Sequence, residues 1–398
     1  MNEVIVSMEN ITKTFPGVKA LDNVQFHLRA GTVEALLGEN GAGKSTLMKI
    51  LSGVYTRDSG DLEIFGQQYG NLNPKTAQQA GVAIIHQELN MCKHLTVAEN
   101  MFLGREKRNG FALKNAQMEA EAREILGSLG MDINPKQMVG ELSVAKQQMI
   151  EIAKALSINA KILIMDEPTS ALTSKEIDDL FKIIHQLKAS GHGIVYISHR
   201  LEELQHITDH VTIMRDGQYI TEGDFKDFTM DQIIQNMVGR EIKEKFPRVE
   251  CKKGKKIFEV KNLNAGRMVR DINFSLYEGE IVGIAGLMGA GRTETTRAIF
   301  GADPKESGEI CLDGHEVKIE KPMDAIKAGI VLAPEDRKKD GLCTKLSIRQ
   351  NLELPNLDLV CNKLGVINKA KDNELCDKAV KNLMIKVANL NSNADTLS

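Results

Sequence analysis

Residues 38–46 read Gly-Glu-Asn-Gly-Ala-Gly-Lys-Ser-Thr and fit the spacing G-x-x-x-x-G-K-[ST]. Glycines let a backbone wrap closely, so that its N–H groups face phosphate oxygens. The amides of Gly38, Glu39, Asn40, Gly41, Ala42, Gly43, Lys44, Ser45 and Thr46 are therefore the candidate cradle for a nucleoside triphosphate. A helix opening at the end of the loop adds its positive dipole end. In this geometry Lys44 reaches the β- and γ-phosphates and the Ser45 hydroxyl holds Mg²⁺.

The flanks supply the required context. Val33–Leu37 (VEALL) reads as a buried strand, and Leu47, Ile50 and Leu51 give helical spacing on one face. Ile162–Met165 (ILIM) is a short continuous apolar run, suited to a parallel strand covered on both faces. Gly193–Ser198 (GIVYIS) reads as another strand. Thr173–Glu176 reads as a capping box before a helix with the apolar face Ile177, Leu180, Phe181, Ile184 and Leu187. Strands alternating with helices predict an α/β parallel sheet. Residues 93–157 differ: charged and apolar residues alternate with helical period, which predicts a helical subdomain.

Parallel strands deliver ligand-binding side chains at their carboxyl ends. Asp166 and Glu167 close the ILIM strand, where Asp166 can hold Mg²⁺ through water and Glu167 can act as general base toward an attacking water. An Asp-Glu pair after a strand also suits a plain capped turn. Gln87 ends the run Val82–His86 and could ligate Mg²⁺ or position water, while His86 reads as a packing or surface histidine. His199 follows GIVYIS and is expected at the same sheet edge as Lys44 and Glu167, in contact with the γ-phosphate. Ser143 precedes the helix carrying Met149, Ile152, Ala153 and Leu156. It suits an N-cap and an anion site equally, and spacing does not choose between them.

The chain repeats itself. Gly38 and Gly43 recur as Gly286 and Gly291 at an offset of 248, and the same offset links Gly31 with Gly279, Gly60 with Gly308, Pro74 with Pro322 and Gly81 with Gly329. Coincident glycines at one offset mean two copies of one module. The expected organisation is a first domain at 1–239, a charged linker at 240–256 and a second domain at 257–398. The linker, with Pro247 and no periodic apolar face, reads as solvated chain rather than a nucleic-acid patch. The 398 residues are 42% hydrophobic and carry a formal charge of -3, which excludes a globally basic nucleic-acid binder. The six cysteines form no C-x-x-C pair. The N-terminus lacks the apolar core of a signal peptide. The stretch Ile281–Gly291 is shorter than the ~20 residues a bilayer span needs.

Together these pieces resemble the ATP-binding subunits of ABC transporters. The match comprises the P-loop Gly38–Thr46, Gln87, a signature at Leu142–Gln148, the acidic strand Ile162–Glu167, a loop at Ser170–Thr173 and the switch His199. A tandem chain with GLMGAGRT, Pro334–Lys338 (PEDRK), Phe15–Leu21 and Tyr196–Arg200 further resembles the bacterial sugar-import ATPases, nearest to those for ribose. The resemblance implies a P-loop fold of the ABC type, with two copies that each have a parallel-sheet core and a helical subdomain. It implies ATP and Mg²⁺ as ligands, Phe15 stacked on adenine, and metal contacts from Ser45, Gln87 and Asp166. It implies two modules closing head-to-tail on two ATP molecules, each P-loop facing the other module's signature serine, Ser143 in the first copy. The helical subdomain, and Gln87 at its entrance, would receive the coupling helices of a membrane permease. A periplasmic or extracellular sugar-binding protein would act indirectly, and the chain would sit peripherally on the cytoplasmic face of the membrane.

Several residues depart from the general pattern. Val144 and Ala145 replace two signature glycines, and Thr173 replaces an aspartate. In the second copy Gly286, Gly291, Arg292 and Thr293 form the loop, with Arg292 at the lysine position and Glu335 at the glutamine position. A planar guanidinium does not copy a compact ammonium inside a glycine loop, so the second site is expected to be poor or non-hydrolytic. Leu397-Ser398 aligns with Leu142-Ser143, so the second copy is expected to be incomplete, lacking its signature and acidic strand, with exposed apolar surface and poor turnover by this chain. The expected function is ATP-driven import of a monosaccharide, ribose foremost. Galactose, arabinose, xylose or a nucleoside are the alternatives. A soluble ATPase acting on nucleic acid or ribosomes, and a regulatory nucleotide module without hydrolysis, are the readings from other classes.

Overall fold

The computed structural model describes residues 3–86, 90–110, 112–170, 172–239, 253–287, 289–385, 387 and 389–396. Gln87, residues 240–252 of the expected linker, and Leu397-Ser398 lie outside the described residues. The chain divides into two compact units, Met1–Lys243 and Glu244–Ser398.

Unit 1 begins with β1 (Val4–Phe15), β2 (Val18–Arg29), β3 (Val33–Leu37) and α1 (Lys44–Leu51). β4 (Ser59–Ile64), β5 (Gln67–Tyr69), α2 (Pro74–Gln79) and β6 (Val82–Ile85) follow. The expected helical subdomain holds α3 (Val97–Phe102), a small hairpin of β7 (Arg108–Asn109) and β8 (Ala112–Leu113), α4 (Asn115–Ser128) and α5 (Val144–Leu156). The chain then runs through β9 (Ile162–Asp166), α6 (Ser174–Ala189), β10 (Gly193–Ile197), α7 (Leu201–Ile207), β11 (His210–Arg215), β12 (Gln218–Asp224) and α8 (Met230–Val238).

These strands form two larger sheets. One is antiparallel in the order β2-β1-β4-β5, and the other runs β12-β11-β3-β10-β9-β6. In the second, β11, β3, β10, β9 and β6 pair in parallel and only β12 is antiparallel. Its central strands are covered on both faces, which is why VEALL, ILIM and GIVYI are unbroken apolar runs. Val33, Ala35, Leu37, Leu163, Met165, Ile194 and Tyr196 face a core shared with the helical subdomain and α6. Leu36, Ile162, Ile164, Val195 and Ile197 face the opposite core, shared with α1 and the antiparallel sheet. The Thr173 capping box is formed: the Thr173 N–H and hydroxyl donate to Glu176 Oε2 at 2.9 and 2.8 Å.

Unit 2 comprises β13 (Lys256–Ala265), β14 (Val269–Tyr277), α9 (Arg292–Phe300), β15 (Ser307–Leu312), β16 (His315–Glu316), α10 (Pro322–Lys327), α11 (Ile348–Glu353), α12 (Leu357–Val360) and α13 (Lys369–Asn382). α9, β15, β16 and α10 begin 248 residues after α1, β4, β5 and α2. The sheet order β14-β13-β15-β16 repeats β2-β1-β4-β5. The counterparts of β3 and β6 at that offset are residues 281–285 and 330–333, and neither is paired in a sheet among the described residues. In unit 1 those two strands are separated by β10 and β9, which supply their ladder partners. Without such partners the backbone of an apolar segment stays in water. Ile281 is 97% exposed and Val331 81%. An apolar cavity of about 210 Å³ opens beside them, lined by Phe258, Phe274, Val282, Ile284 and Ile330 among others.

Candidate active site

The parallel order β3-β10-β9 decides which side chains meet. Each strand releases its chain at the same edge: Gly38 after β3, His199 after β10, and Asp166 and Glu167 at the end of β9. The register sets Ile197 opposite Asp166, and the Glu167 N–H donates to the Ile197 carbonyl at 2.9 Å. Glu167 holds a left-handed backbone (φ 49), an unfavourable conformation for a side chain of its size. Its Oε1 lies 2.6 Å from His199 Nε2. The strand order thus joins two residues that are 32 apart in sequence.

Lys44 opens α1 and is buried. Its Nζ donates to the Gly38 carbonyl at 2.7 Å and to the Glu39 carbonyl at 3.0 Å. The ammonium is thus folded back over the loop that a phosphate tail would fill. Burial lowers its pKa, and the charges of Asp166, Glu167 and Glu39 oppose that shift. Burial raises the pKa of Asp166, and the neighbouring Glu167 charge adds to the rise, against Lys44, His86 and Lys49. Buried Lys44 and half-buried Asp166, of opposite sign and each strained by desolvation, form a site that gains from a cation beside Asp166 and an anion beside Lys44. Ser45, in the first turn of α1, is exposed. The first amides of α1 have no carbonyl one turn earlier and face the loop opening.

Gly38 explains how tightly the loop is seated. A Cβ at this position would lie 2.3 Å from the carbonyl oxygen of Met214, the penultimate residue of β11. The floor is completed by the hairpin turn Asp216-Gly217, both residues left-handed (φ 51 and 77), as a type I′ turn requires. The Gly217 N–H donates to the Ala42 carbonyl at 3.2 Å, and the Asp22 N–H donates to the Gly217 carbonyl at 2.8 Å. The Asp-Gly pair was the sequence signal for this support, and the sequence reading passed over it.

Phe15 ends β1 and is half-buried against Tyr55, with ring centroids 5.3 Å apart at an interplanar angle of 69°. Ser143 caps α5, its hydroxyl accepting from the Lys146 N–H at 3.4 Å, so it belongs to the helical subdomain rather than to the Lys44 cluster. The other feature the sequence reading missed is a buried glutamate behind the site. Thr169, Tyr196 and Ser198 all donate to Glu203 Oε2, at 2.9, 2.9 and 3.1 Å. In unit 2, Gly291 precedes α9 as Gly43 precedes α1, but Arg292 is exposed where Lys44 is buried.

A phosphate loop, an acidic strand end and a histidine at one edge of a parallel sheet define a nucleotide-binding P-loop module. The ABC transporter family pattern matches residues 21–170 and 269–398, and the chain belongs to that family. A relative from Agrobacterium fabrum, named for import of ribose, galactose and methyl galactoside, is 51% identical over 99% of this chain and 78% of its own length. The ribose import ATP-binding protein RbsA of Bacillus cereus is 46% identical over 96% of this chain and 78% of its own length. The galactose/methyl galactoside import ATP-binding protein MglA 1 of Photobacterium profundum is also 46% identical, over 100% of this chain and 81% of its own length. Among solved structures, the ADP conformation of an ATP-binding cassette from an ABC transporter is similar with a TM-score of 0.53 and 29% identity, covering 61% of this chain and all of the other. No helix among the described residues is long and apolar enough to cross a membrane.

Proposed function

We propose that the chain is the ATP-hydrolysing, energy-coupling subunit of an importer for a monosaccharide, with ribose as the foremost substrate. The observation that carries the reading is the convergence of Lys44, Glu167 and His199 at the carboxyl edge of β3, β9 and β10. The names of the relatives support the sugar and the direction of transport.

In this reading the loop 38–46 wraps the triphosphate, and Lys44 leaves its two carbonyl partners to meet the β- and γ-phosphate oxygens. Ser45 and Asp166 suit a Mg²⁺ ion, with Gln87 as a further ligand. The ion neutralises charge on the β- and γ-oxygens when bound. Glu167 accepts the proton of the attacking water, and His199, held against that carboxylate, orders the water and meets the γ-phosphate. Phe15, beside Tyr55, offers a ring face to adenine. In unit 2, exposed Arg292 and Glu335 make a poorer phosphate site. The chain works against a membrane permease at the cytoplasmic face, and a sugar-binding protein delivers the cargo on the other side.

The test is calorimetry with MgATP. The chain is expected to bind, and Lys44→Ala is expected to lose at least 10-fold in affinity, since charge-assisted phosphate contacts are the strong ones. Equal affinity of the variant would remove Lys44 from the site. Uptake of ribose, galactose, arabinose and xylose by vesicles carrying the subunit with its permease assigns the sugar.

A further inference from the structure

Glu203 lies in the first turn of α7 and is 7% exposed. Its Oε2 accepts three hydroxyls: Thr169 Oγ1 at 2.9 Å, Tyr196 Oη at 2.9 Å and Ser198 Oγ at 3.1 Å. Arg200 Nη1 lies 3.4 Å from Oε1. A buried carboxylate is costly unless hydrogen bonds satisfy it, and here one oxygen collects three donors. Burial and the Glu203 charge push the Tyr196 hydroxyl far above its ordinary pKa, so the phenol remains a donor.

The donors come from the two chain ends that build the nucleotide edge. Thr169 stands two residues after Glu167, and Ser198 stands immediately before His199. The Ser198 hydroxyl also accepts the Arg200 N–H at 3.0 Å, closing a tight turn around His199. Glu203 therefore ties the segment leaving β9 to the segment leaving β10, behind the 2.6 Å contact between Glu167 and His199. No step of the proposed chemistry touches it.

We propose that Glu203 is a positioning residue for ATP turnover: itself held by Thr169, it acts through Ser198 to fix the aim of His199 at Glu167. The inference rests on the reading of those two residues as the turnover pair. A side chain that merely anchored α7 would lower stability without acting through His199. Glu203→Gln keeps the shape of the side chain but replaces an ionised acceptor with an amide, which cannot take three donors on equal terms.

The experiment measures single-turnover release of the γ-phosphate and MgATP affinity for the full chain, carrying Glu203→Gln, His199→Ala or both. Loosened support around reacting groups characteristically costs about 10–100-fold. Glu203→Gln is expected to slow turnover in that range with affinity within about twofold of the parent, because the phosphate loop is untouched. In the His199→Ala background it is expected to slow turnover by less than about twofold more, since the residue acts through His199. Undiminished turnover in Glu203→Gln, or the same fold-loss with and without His199, overturns the proposal. Parent-like turnover in His199→Ala instead overturns the underlying reading of the pair. Should Glu203→Gln not fold, Ser198→Ala and Tyr196→Phe decide. Ser198→Ala is expected to slow turnover in the same His199-dependent way, while Tyr196→Phe lowers the melting temperature and leaves turnover within about twofold. The reverse pattern overturns the proposal.

Discussion

Glu167 combines three properties: a strained backbone, a position at a strand end and a histidine 2.6 Å away. Strain at a non-glycine residue of this kind costs roughly 1–3 kcal/mol and persists where the surroundings over-determine it. Here the surroundings are the bond from its N–H to Ile197 and the Thr169–Glu203 contact two residues on. Glu167→Gln keeps that backbone and removes the proposed base. The expected outcome is a loss of about 10²–10⁴ in turnover with MgATP affinity retained, read by single-turnover kinetics beside calorimetry. Affinity falling together with turnover would mean that Glu167 binds nucleotide rather than drives chemistry. Residues of this rank were legible in the sequence when their partners were local. Lys44 and Ser45 sit inside one nine-residue motif. Glu203 was not legible, because its three donors come from two strands whose register only the folded sheet fixes.

Among elements, β3 shows how pattern and exception coexist. Four of its five residues are apolar, yet Glu34, the second, is buried as well. Its Oε1 accepts from the Thr212 hydroxyl at 2.7 Å, and its Oε2 has no partner among the described residues. Burial raises its pKa from 4.5 to about 8. A folded pKa above the unfolded one makes the contribution complete below pH 4.5 and progressively lost as pH climbs through 8. His27 on β2, bridging Glu9 of β1 and Glu222 of β12, acts in the same direction: its pKa is raised to about 9, so its contribution is full below 6.5 and lost through 9. Denaturant unfolding should therefore show unit 1 losing stability from pH 6 to pH 9. Glu34→Gln should be more stable than the parent at pH 8 by roughly 1–3 kcal/mol and flatter across the range. A variant no more stable at pH 8 would show that the carboxyl is not charged at a cost. The continuous strands were readable because burial on both faces leaves no polar interruption. The antiparallel sheet was not, because bulges with left-handed Asn10 and Asn23 break the alternation of β1 and β2.

At the scale of the whole chain, one offset in the glycines foretold two copies, and the repeated sheet order bears out the repetition. The units differ in what their β3-like segments rest against. In unit 1 every residue of Val33–Leu37 is buried, whereas Ile281 and Ile284 of unit 2 are 97% and 45% exposed. Hydrophobicity alone does not make a strand. It needs ladder partners, and composition does not reveal whether they are present. Hydrogen exchange should separate the two cases. Amides of β9 and β10 are expected to exchange only with global opening, and those of residues 281–287 orders of magnitude faster. Equal protection in the two segments would mean that the second apolar run is paired in solution.

The Met214 carbonyl above Gly38 and the Gly217 contact to Ala42 have one more consequence, for the order in which the chain is synthesised. The glycine-rich motif leaves the ribosome early, but β9, β10 and β11, and the turn beneath the loop, are translated more than a hundred residues later. A nascent chain halted at residue 200 would thus display every letter of the motif over a missing floor. Nucleotide capture therefore waits until unit 1 is nearly complete, and a ribosome-stalled series should acquire it in one step once residue 217 has cleared the exit tunnel.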